Sequence, residues 1–119
     1  MVDELLDTTE LPNWFAYPAD FLQVVRSESL DIGPWQILLG KWLRVRNEGL
    51  KKRFPDRNLV PFARRLDNDD VACWDRGESG RVYIVHDFSA PGWEQRIEYG
   101  SFVAWYQAAR EEAKGYDGD

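Results

Sequence analysis

The 119-residue sequence predicts an α+β fold: an antiparallel sheet of about four strands (residues ~58-99) packed by N-terminal helices and a C-terminal helix. Three observations predict it. Apolar residues recur every three or four positions up to Phe54, every second position between Leu59 and Tyr99, and every three or four again from Phe102. Clusters of Asp, Asn, Gly and Pro cut the middle stretch into short runs. Helices and strands do not alternate, which argues against a doubly wound parallel sheet and predicts helices on one face of an antiparallel one.

Each element has its own justification. Residues 1–13, rich in Asp, Glu and Thr, read as a loosely ordered N-terminal segment. Pro18 suits a helix start, and Phe21, Val24 and Val25 share one face. Gly33-Pro34 breaks that pattern, and Trp35–Leu38 reads as a short extended segment. A second helix fits residues 40–54, with Leu39, Trp42, Leu43, Leu50 and Phe54 as its apolar stripe and Pro55 as its stop. Leu59–Arg64 is a strand candidate in which Pro61 argues for an edge or a strand start. Asp67-Asn68-Asp69-Asp70 is turn chemistry, Val71–Trp74 a strand, Gly77–Gly80 a second turn and Val82–Phe88 the strongest strand. Within it Val82, Ile84, His86 and Phe88 share one face, and Tyr83, Val85 and Asp87 the other. Ala90-Pro91-Gly92 turns into a fourth strand, Gln95–Tyr99. Ser101 caps the last helix, whose stripe is Phe102, Trp105, Tyr106, Ala109 and Ala113 and whose end is Gly115. A single domain over 14–115 and a frayed tail at 116–119 complete the organisation.

Composition narrows the chemistry. Hydrophobic residues are 44%, and six Trp, five Tyr and six Phe make disorder untenable. The lone cysteine, Cys73, allows no internal disulfide and no multi-cysteine zinc site, and reads as a buried reduced thiol. The acidic start offers no secretory signal and no apolar run reaches membrane length, so a soluble cytoplasmic protein is the expectation. Net charge is −6, yet residues 41–65 hold nine basic and two acidic side chains, a local +7 against −13 elsewhere. The overall acidity argues against nucleic acid as a partner; a basic binding face in 41–65 is the competing reading, and a solvated helix face the plainer one.

Catalytic signatures are missing. There is no phosphate-binding glycine loop and no G-x-S-x-G elbow. Cys73 with His86 is the one possible Cys/His pair. Asp67, Asp69 and Asp70, with His86, are the best candidates for a hard-cation site and a small metal-dependent hydrolase. A calcium-type loop counted from Asp67 lacks its glycine, since Ala72 stands at the sixth position, with Glu78 at the twelfth. A hairpin turn with solvated acids explains the cluster as well, and no cofactor or metal is expected. Trp14, Trp35 and Trp93 fall outside regular periodicity and are contact-surface candidates, whereas Trp42 and Trp105 fit helix stripes as core.

Two stretches, Leu59–Asp75 (LVPFARRLDNDDVACWD) and Val85–Glu94 (VHDFSAPGWE), followed by the Phe102–Trp105 helix, resemble bacterial members of the SUKH superfamily, the Smi/Knr-type immunity domains. The Tyr17-Pro18 helix start and Pro34-Trp35 also fit, and the resemblance covers residues 14–114. Where many members turn on a Gly-Gly pair after the first helix, this chain reads Arg26 to Gly33. The resemblance implies an α+β fold, no enzyme activity and a protein partner. Many such proteins bind and block a toxin delivered by a competing cell, often a nuclease or deaminase, while others are regulatory interaction domains with no toxin. A toxin that grips nucleic acid presents a basic groove. Asp67, Asp69, Asp70 and Asp75 are therefore the expected partner-binding acids, with Trp93 or Trp35 as apolar anchor.

Overall fold

The computed structural model describes residues 4–27, 30–75 and 80–116. Pro18, extended at φ −62° and ψ 145°, leads into α1, Ala19–Arg26, whose buried Phe21 and Val25 stand one turn apart. The next hairpin was only half legible: β1, Asp31–Ile32, turns through Gly33-Pro34 into β2, Trp35–Ile37. Gly33 has φ +61°, and a Cβ there would lie 2.6 Å from the Cα of Ala113, so the turn needs glycine on two counts. α2 spans Gly40–Arg53. The four expected strands follow as β3 (Val60–Arg65), β4 (Asp70–Trp74), β5 (Val82–His86) and β6 (Gln95–Tyr99). α3, Phe102–Tyr116, begins with Ala104 N–H donating to Ser101 Oγ at 3.1 Å and runs one residue past Gly115.

All six strands form one antiparallel sheet in chain order. The sheet exceeds the expected four because β1 and β2 are two and three residues long, too short to show a period of two. Pro61 sits near the start of an interior strand rather than at an edge; the register shifts between Pro61 and Ala63, a bulge that accommodates the missing N–H.

The central strands β3, β4 and β5 are covered on both faces, which corrects the expectation of helices on one, while β6 is largely exposed. Phe62, Ala72, Trp74, Val82 and Ile84 pack with Phe21 of α1 and with Phe102 and Trp105 of α3. Val71, Cys73 and Val85 pack with Leu50 of α2 and with Phe54 and Leu59. Neighbouring strand residues point to opposite faces, so the Leu50 end of α2 lies across the sheet from α1 and α3, while Leu43 of α2 joins the larger cluster. Two details of burial stand out. Leu5 and Leu6 are buried in the larger core, and the Leu6 N–H donates to the Tyr17 hydroxyl at 3.2 Å. Trp42, expected in the core, is 68% exposed. The Gly77–Gly80 turn lies outside the described residues except for Gly80, as does the tail beyond Tyr116. Among the described residues no helix is long and apolar enough to cross a membrane.

Candidate functional site

The basic segment folds against the acids from the rest of the chain. Of its nine basic residues, Arg44, Arg46, Arg53, Arg57 and Arg65 each hold a carboxylate that comes from outside it: Glu10, Asp87, Asp75, Glu94, Asp67 and Glu112. The segregation read in the sequence is thus largely an internal complementarity, and three of these pairings build one loop.

That loop runs from Asp87 to Glu94, between β5 and β6. Asp87 follows Val85 on the α2 face of the sheet and is fully buried. Its carboxylate accepts from Arg46 Nη1 at 2.8 Å, from Arg53 Nε and Nη2 at 2.5 and 2.7 Å, and from the Phe88 N–H at 2.9 Å. Its own N–H donates to the Asp69 carbonyl at 2.9 Å. Burial works against the charge, but the hydrogen bonds from Arg53 and then Arg46 outweigh it and hold the carboxyl below its ordinary value. At the other end, Glu94 accepts from Arg57 Nη1 at 3.1 Å and from the Gly92 N–H at 2.7 Å, while its carbonyl accepts from the His86 N–H at 2.7 Å. Arg57 also bonds Asp75, at 2.9 Å from Nη2. Both ends of the loop are therefore fastened to arginines of α2 and the turn after it.

Between these clamps the loop carries two large side chains into water. Phe88 is 62% exposed and Trp93 is 78% exposed. Phe88 has φ +71°, a conformation uncommon for a bulky residue and one that a surrounding structure must enforce. Here the Asp87 carboxylate bonds the Phe88 N–H, and the Arg53 guanidinium lies 4.1 Å from the centre of the Phe88 ring.

α2 supplies the opposing wall. Trp42, Val45, Arg46, Gly49 and Arg53 stand at offsets 0, 3, 4, 7 and 11, a second stripe beside the buried one. Trp42 lies at the edge of the apolar stripe, about 100° round the helix from its centre, which explains its exposure. Gly49 makes room: a Cβ there would collide with the Arg53 guanidinium folded back along the helix. Trp42, Val45 and Phe88, with Arg46, Arg53 and Arg64, line a groove of about 250 Å³ floored by Leu38. Arg64 Nε donates to Gln36 Oε1 at 3.2 Å, and its two terminal nitrogens carry no partner among the described residues.

The candidates from the sequence are distributed otherwise. Trp35 is 4% exposed, edge-on to Trp105 at 5.4 Å, and so is a core residue that offers a partner nothing. Trp14 is half-buried against Phe15. Asp75 is half-buried under Arg57, Asp67 is held by Arg65, and Asp70 Oδ1 lies 2.9 Å from His86 Nδ1. Asp69 is exposed, and its side chain carries no partner among the described residues. Among those residues no three His, Cys, Asp or Glu side chains gather where one ion could be held, and Glu78 lies outside them. Cys73 is fully buried and burial pushes its thiol up. It pairs with Tyr83 in the sheet, so it points to the face opposite His86 and the two form no dyad.

Sequence reasoning missed Trp42, Asp87 and Phe88 as site residues and reached Arg46, Arg53 and Arg64 only collectively, within the basic 41–65 segment. Two signals were present. Asp87 was placed on the face of Val85, and a buried carboxylate demands partners. Arg46 and Arg53, seven apart, are the pair on one helix face that could supply them. No protein-family model, no curated protein and no solved structure matches the chain.

Proposed function

We propose that this chain is a non-catalytic protein-binding module of immunity type, which covers a toxin domain and transforms nothing itself. One observation carries the binding reading: the Asp87–Glu94 loop presents Phe88 and Trp93 to water while both its ends are fastened to arginines. Large exposed aromatics on a rigid support are the composition of interface hot spots, and prior rigidity lowers the entropy cost of binding. The immunity class is supported by the resemblance in Leu59–Asp75 and Val85–Glu94, the second of which spans this loop. Of the expected acids, Asp69 is the one left for a partner without breaking an internal bond; Trp93 remains the expected anchor.

The test compares two baits in extracts of the source cells: the wild-type chain and a Phe88→Asn/Trp93→Ser double variant with an unchanged melting temperature. The expected result is one protein retained stoichiometrically by the wild type and lost from the variant. Expressed alone, that protein arrests growth, and co-expression of the wild-type chain restores it. Identical captures by both baits would overturn the binding face; a captured protein harmless when expressed alone would overturn the immunity class.

A further inference from the structure

The groove between α2 and the β5–β6 loop has a charge imbalance that the fold does not use. Among the described residues three guanidiniums line it, Arg46, Arg53 and Arg64, and no lining residue is acidic; the buried Asp87 carboxylate holds two of them. Arg46 spends one nitrogen on Asp87, Arg53 spends two, and Arg64 spends one on a neutral amide. A guanidinium has five N–H donors, so most of the donors in this groove remain for an incoming acceptor. The rim is apolar: Trp42, Val45 and Phe88 are all more than half exposed.

We propose that this groove receives an acidic segment of a partner protein, with a carboxylate held by Arg64 beside Arg46 and an adjoining apolar side chain seated between Trp42 and Phe88. This deepens the protein-binding reading and rests on it. Charge complementarity selects the occupant. The groove is net positive on a chain whose overall charge is −6, so it is a local receptor for anions rather than a field that would gather a polyanion. Its volume of about 250 Å³ falls below the range of sites that enclose a drug-sized ligand, and suits one or two side chains. Planar guanidiniums bind carboxylates in a forked, directional manner, which gives the site register as well as attraction.

The probe is a random peptide library displayed on phage and selected against the wild-type chain. Enriched peptides are expected to carry Asp or Glu next to an aromatic or branched aliphatic residue. Their affinity should fall about tenfold on Arg64→Ala and about tenfold on replacing the acid by its amide. Arg64→Ala is a fair variant because the side chain holds only Gln36, and its melting temperature is measured alongside. Failure to enrich acidic peptides, or affinities indifferent to Arg64→Ala, would overturn the proposal. So would mixed-sequence single-stranded RNA that binds the wild type more tightly than the peptides and loses binding with Arg64→Ala. In the cell-extract capture, a partner lost with Phe88→Asn/Trp93→Ser but undiminished by Arg64→Ala would leave the binding-module reading standing and sink the acidic-segment assignment alone.

Discussion

The two faces of the sheet are held by different physics. On the α1/α3 face Phe21, Phe62, Trp74, Phe102 and Trp105 interlock, with Phe62 4.3 Å from Trp74 and 4.9 Å from Trp105, ring centre to ring centre. On the α2 face a small apolar patch, Leu50, Phe54, Leu59, Val71, Cys73 and Val85, is flanked by arginine–carboxylate clamps. Apolar burial is indifferent to pH and non-directional; ion pairs are directional and titrate. The first face supplies stability, and the second converts part of it into the fixed position of a loop. That division explains why exposed apolar side chains gather on the clamped side: Trp42, Val45 and Phe88 all line its groove.

The contrast can be broken at either face. Phe62→Ala should cost about 4 kcal/mol by opening a cavity among rings that cannot collapse, with no change in the pH dependence of unfolding. Chemical denaturation at two pH values checks this. Asp87→Ala should cost about 3 kcal/mol, the low end for breaking a buried pair because Arg46 and Arg53 are partly exposed and can turn to solvent. Its pH signature is distinct. The folded carboxyl titrates below the unfolded value near 3.9, so the stabilisation is complete above that pH and fades as pH falls through the folded value. Asp87→Asn should flatten that acid limb relative to the wild type, leaving the contributions of Glu94, Glu10 and Asp7, whose carboxyls are also lowered.

Smaller effects probe the clamps themselves. Replacing a helical glycine by alanine ordinarily gains about 1 kcal/mol, but Gly49→Ala should give no gain because the methyl group displaces the Arg53 guanidinium from Asp87. In an Arg53→Ala background the gain should return, and a double-mutant cycle measures the difference. Phe88→Asn should change stability by no more than about 0.5 kcal/mol, since relief of the positive φ offsets the lost stacking on Arg53. A loss of several kcal/mol there would mean that Phe88 supports the fold rather than being displayed by it.

Much of the architecture was legible because it depends on period alone. α2, α3 and strands β3 to β6 follow the change of spacing at Phe54 and again at Phe102. Coverage of both faces was written in Val71-Ala72-Cys73-Trp74, four consecutive residues that are all buried; a strand with one wet face would have alternated. The β1–β2 hairpin was not legible as paired strands because two or three residues carry no period. The site was harder for a physical reason. Charge in the sequence reads as surface, yet the acids at Asp75 and Asp87 are bound inward by arginines 18 and 34 residues away, and only the folded topology brings them together. Asp67, Asp70 and Asp75, which the sequence offers to a partner, are held by the chain itself.

The loop can act as a binding element only if it is held before any partner arrives. Backbone ¹⁵N order parameters for residues 87–94, recorded on the free protein at neutral pH, read that directly. A loop clamped by Arg46, Arg53 and Arg57 gives values of about 0.85, level with the flanking strands, that drop in Asp87→Asn. Values below about 0.6 in the wild type would mean that Phe88 and Trp93 are merely loose in solvent.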